Sequence, residues 1–152
     1  MTILTRGEYT ITTENDRLDV NAIHGYLTTS YWSPGVPKET VERSIANSLC
    51  FGLFHGPHQV GLARVITDKA TFAYLADVYV LEPHRCKGLS KWMLEVIRDH
   101  QELQGLRRFM LATSDAHGLY AQFGFTPLAN PSRMMEIHAL NVYRSPPAQT
   151  QK

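Results

Sequence analysis

Between residues 85 and 90 the chain reads Arg-Cys-Lys-Gly-Leu-Ser, two cations and a glycine placed directly before an amphipathic run. Residues of these types hold anions. A helix start leaves backbone N–H groups without intrahelical partners, its dipole favours negative charge, and glycine lets a ligand approach the backbone. Two common nucleotide patterns are excluded by the spacing: there is no G-x-x-x-x-G-K-[ST], and no G-x-G-x-x-G follows a strand. A second group with chemical capacity is Asp77, an acid inside an apolar run, where it is costly unless paired. A base of raised pKa and a structural carboxylate bonded to a neighbour are both open there.

Two elements must position these groups. Leu75–Val80 is short and apolar apart from Asp77, which predicts a buried strand. Alternation puts Asp77 and Tyr79 on one face of it and Val78 and Val80 on the other. After Gly88, Leu89, Trp92, Met93, Val96 and Ile97 fall on one face of a helix.

The remaining chain reads as alternating short elements. Tyr9–Thr13 alternates apolar and polar residues, as a strand does, and Asn15 or Asp16 would cap a helix with Leu18, Ala22, Ile23, Tyr26 and Leu27 inward. A Pro- and Gly-containing loop with Tyr31 and Trp32 leads to Pro37, which opens a helix carrying Val41, Ile45 and Leu49. Cys50–Phe54, Val60–Thr67 and Phe72–Val80 read as an antiparallel meander, with turns at His55–His58 and Asp68–Lys69. Beyond Gly105, placed as a helix C-cap, Phe109–Ala112 is expected as a strand parallel to its predecessor. A short helix from His117 to Phe123 follows, with Asp115 or His117 as its polar cap, and then closing strands at Phe125–Leu128 and Met134–Leu140.

The composition is that of an ordinary globular domain, 43% hydrophobic and 19% charged. A net charge of +1 argues against a nucleic-acid surface, and no apolar run reaches the length of a membrane span. Cys50 and Cys86 are too few for a disulfide framework, which points to the cytoplasm. His55 and His58 lack further ligands, so no metal is expected.

Arg85-x-x-Gly88-x-Ser90 resembles the acyl-CoA signature Q/R-x-x-G-x-G/A of the GNAT superfamily of N-acetyltransferases. Leu119–Phe125, L-Y-A-Q-F-G-F, resembles the family's L-Y-x-x-x-G-F, and the stretch from Tyr31 to Leu140 is similar to a bacterial branch of uncertain acceptor. The resemblance implies an α+β (mixed α/β) GNAT-like fold: about seven strands, mostly antiparallel with a parallel pair at the centre, and about four helices. Residues 1–144 would form one domain, and 145–152 a flexible tail by composition.

The implied reaction is direct attack of a primary amine, small molecule or peptide, on the thioester of acetyl-CoA, with no metal. The implied cofactor residues are Arg85, Cys86, Lys87, Gly88, Leu89 and Ser90 at the pyrophosphate, and Val78, Tyr79 and Val80 along the thioester, where backbone N–H near Tyr79 and Val80 polarises the carbonyl. Tyr120 would protonate the departing thiolate, and Asp77 is the candidate base, a role that the resemblance does not settle. Tyr31 and Trp32 lie in the segment that often covers the acceptor site in the superfamily. Superfamily members are often dimers, so a homodimer is open. Two departures stand out: Cys86 where glycine is common, which matters only if that position needs positive φ, and Ser90 where glycine or alanine is usual. The rival reading is a CoA-binding sensor or interaction module without turnover.

Overall fold

In the structure, a computed structural model that describes residues 2–144, β1 (Ile3–Arg6), β2 (Tyr9–Thr12), β3 (Leu49–His55), β4 (His58–Thr67), β5 (Phe72–Val80) and β6 (Arg108–Leu111) form one sheet in chain order. The first five strands are antiparallel: short turns join β1 to β2 and β3 through β5, while residues 13–48 return the chain from β2 to β3. The turn into β5 is set by Asp68, whose carboxylate accepts from the backbone N–H of Ala70 (2.9 Å) and Thr71 (2.8 Å). A helix then carries the chain back, so β6 pairs with β5 in parallel.

Two helical layers cover the sheet. On one face lies α3 (Leu89–Asp99), which buries Leu89, Trp92, Met93, Val96 and Ile97 against Phe51, Val65 and Leu75, with Tyr120 of the short α4 (His117–Ala121) at the margin. On the other, α1 (Val20–Leu27) and α2 (Lys38–Ala46) bury Ile23, Leu27, Val41 and Ile45 against Cys50, Leu62 and Tyr79. This is the mixed α+β fold expected. Among the described residues no helix is long and apolar enough to cross a membrane.

Several boundaries differ from expectation. Helix α1 starts later, capped by Asp19, which accepts from Ala22 N–H at 3.0 Å; Asn15 sits in a preceding turn and donates to the Ile45 carbonyl instead. Strand β1 is an edge strand with all four residues exposed, and so carries no burial alternation to read. Phe125–Leu128 and Met134–Leu140 do not join the sheet, because neither meets a partner strand within the described chain. The sheet therefore has six strands, and the parallel pair lies at its edge rather than its centre. The expected tail, 145–152, lies outside the described residues.

The decisive irregularity is in β5. Ala73 and Leu75 belong to the α3 face, and so do Val78 and Val80, a change from odd to even positions. The ladder explains it: Arg64 pairs with Ala76 and Leu62 with Tyr79, so Asp77 and Val78 together oppose Ala63. The extra residue is Asp77, in the left-handed region at φ 53°. This is a β-bulge, which bends a strand and shifts its alternation by one.

Beside the bulged segment, β4 carries Gly61, where a Cβ would stand 2.7 Å from the Tyr79 carbonyl and 3.0 Å from Leu53 Cδ2. Gly61→Ala must push β4 and β5 apart, since the nearest obstacle is backbone. A loss of about 1–3 kcal/mol is expected in chemical denaturation.

Candidate active site

The site grows from the end of the parallel pair. Pairing runs from Phe72 with Arg108 to Leu75 with Leu111 and stops, while β5 continues to Val80. From Ala76 onward the outer edge of β5 is therefore open, and a gap separates it from the segment after β6. Leu81 N–H donates to the Val60 carbonyl at 2.8 Å. By the alternation of an antiparallel ladder, the Val80 N–H then points away from β4, into the gap. Tyr79 instead turns its ring to the opposite helical layer, stacked on Tyr26 at 3.9 Å, and burial raises its phenol pKa.

Beyond the top of β5 lies the basic turn. Arg85 folds back on the strand, its Nε donating to the Val80 carbonyl at 2.7 Å and its Nη2 to Tyr26 Oη at 3.5 Å. Its side chain thus ties the turn to the strand. Cys86 and Gly88 both have positive φ, 64° and 74°. The departure at Cys86 therefore does fall on a left-handed position, where a Cβ is strained. Gly88 is the N-cap of α3, without a side-chain cap bond or an acidic residue in the first helical turn. No atom lies within 4 Å of where a Gly88 Cβ would be. Leu89 is buried under the helix, so its backbone, together with that of Ser90, forms the free N-terminus. Lys87 is exposed beside it.

Asp77 is held on both oxygens. Oδ2 accepts from Arg64 Nε at 2.7 Å and Oδ1 from Trp32 Nε1 at 2.9 Å, and Arg64 also donates to Ser48 Oγ at 3.1 Å. The ion pair is largely out of solvent, with side-chain exposures of 16% for Arg64 and 9% for Asp77. Through Trp32, the α1–α2 loop is anchored at the gap. Its neighbour Tyr31 reaches across, accepting a hydrogen bond from Ser114 Oγ at 3.0 Å, just past β6. Tyr120 is half-buried on the same side, edge-on to Phe125 at 6.1 Å. Burial first, then Tyr31 and Asp115, raise its phenol pKa, so it stays protonated at neutral pH. No side chain caps α4, neither Asp115 nor His117; in the turn before it, Thr113 Oγ1 accepts from Ala116 N–H at 3.1 Å.

The gap thus gathers the Val80 amide, the turn of residues 85–90, Tyr31 and Tyr120, with Asp77 and Trp32 at its side. Arg64, Tyr26 and Ser114 complete it and were not singled out from sequence. Arg64 left a trace: it is the lone charge in Val60–Ile66, as Asp77 is in its own strand. Counting back from the Asp68 turn, however, sets Arg64 opposite Ala76, one residue short. Arg107 and Arg108 lie at the opposite end of β6 from the turn. Of the two cysteines, Cys50 is inert, its thiol pushed up to about 12 by burial.

Comparison with known proteins bears on this geometry. A model of the acetyltransferase (GNAT) family matches residues 19–125. A protein of Gibberella zeae that carries an acetyltransferase assignment is 36% identical, with 78% of each chain covered. A Xanthomonas campestris crystal structure assigned to the GNAT family is 48% identical over 90% of this chain and 97% of its own, with a TM-score of 0.88. A Clostridium acetobutylicum protein, assigned as an acetyltransferase and crystallised with acetyl-CoA, shares the fold at a TM-score of 0.63 and 13% identity, over 88% of this chain and 96% of its own.

Two outcomes are expected from the geometry. Asp77→Ala strands a largely buried Arg64 and removes a residue tolerant of positive φ, costing about 3 kcal/mol in a denaturant titration. Cys86→Val places a β-branched side chain at a left-handed position and melts below Cys86→Gly, the difference being about 1–2 kcal/mol.

Proposed function

We propose, on the premise that this chain belongs to the GNAT family of acetyltransferases, that it moves an acetyl group from acetyl-CoA to a primary amine by direct attack on the thioester. The observation that carries the reading is the gap beside β5, open from Ala76 onward and ending at the uncapped N-terminus of α3. These residues suit the cofactor. The extended pantetheine arm can hydrogen-bond along an open strand edge, and the pyrophosphate meets the free N–H groups of Gly88, Leu89 and Ser90, with Lys87 beside them. When bound, acetyl-CoA supplies an activated acetyl group on a thiol that leaves readily.

The chain's own residues then have separable roles. The Val80 N–H faces the gap and serves as the donor to the thioester carbonyl, the position where negative charge develops. Arg85, bonded to the Val80 carbonyl, fixes that peptide relative to the phosphate turn. Tyr120 donates its phenolic proton to the departing thiolate, and its raised pKa keeps the proton in place until then.

For Asp77, the ion pair to Arg64 and the bond from Trp32 support the structural reading over the base: the carboxylate is engaged in holding the bulge. An alkyl amine with a pKa of roughly 10 arrives protonated, and its proton leaves by a water relay at the open mouth of the gap. Tyr31 and Trp32 form the aromatic side of that mouth, edge to face at 5.0 Å, a surface suited to an amine before and after it loses its charge.

Tyr120→Phe is expected to lower kcat by about a hundredfold or more while acetyl-CoA affinity, measured by isothermal titration, hardly changes. With the phenol pKa raised above roughly 10, the wild-type rate should not fall on the alkaline side until beyond that pH. Absence of acetyl-CoA binding would defeat the proposal. Tight binding without transfer to any amine, unaffected by Tyr120→Phe, would favour a CoA sensor.

A further inference from the structure

Charge is distributed unevenly along the gap. Its phosphate end carries Arg85 and Lys87. Its other end is walled by residues 18–37, with α1 and the loop after it, and by residues 109–132, from β6 through α4; neither segment contains a lysine or an arginine. Arg64, at the side, is already paired with Asp77 at 2.7 Å. The histidines of the two segments are His24, bonded to the Val36 carbonyl at 3.0 Å, and His117, on the first turn of α4. Their carboxylates are Asp19 and Asp115. Asp19 caps α1 at the end away from the loop. Asp115 is exposed, and among the described residues its side chain has no ion-pair or hydrogen-bond partner.

An exposed aspartate is ordinary; this one is distinguished by its place. Its neighbour Ser114 donates to Tyr31 Oη at 3.0 Å, so Asp115 sits where the two walls of the mouth meet. Tyr31 is 65% exposed and stands edge to face with Trp32 at 5.0 Å, which leaves its ring surface open to a ligand. Tyr120 is near enough to both Tyr31 and Asp115 that each opposes loss of its proton. An open carboxylate and an open aromatic pair, on walls without lysine or arginine, make a place for a cation and a poor one for a carboxylate.

We infer that the acceptor is an unbranched diamine: Asp115 holds one ammonium beside the Tyr31 ring, and the other end enters the gap to react. This rests on the acetyl-transfer reading above. The reacting nitrogen forms a C–N bond to the acetyl carbon as the C–S bond breaks. Of the two protons that this end loses, one leaves through the water relay and one restores the phenol of Tyr120 after it has protonated the thiolate. The distal ammonium keeps its charge throughout. The Tyr31–Ser114 bond ties the walls together across the mouth, which favours a slender chain over a branched or cyclic one. An amino acid fits poorly, because its carboxylate would meet Asp115 with no lysine or arginine on either wall to pair with it.

The test compares kcat/KM, at saturating acetyl-CoA, for alkane diamines from propyl to hexyl with the monoamines and ω-amino acids of the same chain length. At least one diamine should exceed its monoamine by about fivefold or more, with the amino acid poorest, and the advantage should shrink as salt is raised. Asp115→Asn should bring that ratio below about twofold, and Asp115→Glu should keep part of it. Monoamines that match every diamine, or a preference that survives Asp115→Asn, overturn the inference and leave acetyl transfer standing. No transfer to any amine overturns both.

Discussion

One additional residue in β5 governs the architecture of the site. Asp77 occupies a left-handed conformation that costs an L-residue about 1–2 kcal/mol, less for aspartate than for most. A salt bridge at 2.7 Å to Arg64 and a hydrogen bond from Trp32 hold it there. Both charges are largely desolvated, so neither can be removed without stranding the other. The pair is thus less a source of net stability than a lock on one conformation of the strand.

The consequences travel in both directions along the chain. Toward the turn, the bulge re-registers β5 so that Val78 and Val80 face α3, and the Val80 N–H lies on the side away from β4. Toward β6, pairing has already ended at Leu75, one residue before the bulged segment. A bent strand diverges from a parallel neighbour that does not bend with it, and the opening between them is the gap that the site occupies. Arg85 then fixes the height of the turn by bonding the Val80 carbonyl, and two left-handed residues, Cys86 and Gly88, deliver the chain into α3 with its first N–H groups uncovered. The loop bearing Tyr31 and Trp32 is anchored by the same carboxylate, so the aromatic mouth and the strand edge are positioned by one group.

Much of the frame was legible because it rests on local periodicity. The five apolar residues assigned to the inner face of α3 are all buried, and the meander from β3 to β5 has the expected turns. The motif residues Gly88 and Tyr120 likewise fall beside one gap, since strand, turn and helix are contiguous and α4 returns to the same face. Local signals misled at helix starts and at the last expected strand. No side chain caps α4, where Asp115 or His117 was expected, Asp19 rather than Asn15 caps α1, and the strand pattern of Met134–Leu140 meets no partner strand among the described residues.

The sequence by itself determined the layers, the glycine turn into α3 and the residue types of the candidate site, all of which follow from hydrophobic period, glycine placement and motif spacing within a few tens of residues. Tertiary structure alone decided what Asp77 is for. Regular alternation counted from the Asp68 turn sends its side chain to the α3 face, away from Arg64; one residue of slip in the ladder sends it to the α1–α2 face, into a salt bridge. A bulge is a property of two strands in register, not of either one, and its energy is spread over Arg64, Ser48 and Trp32, which no spacing within β5 could reveal.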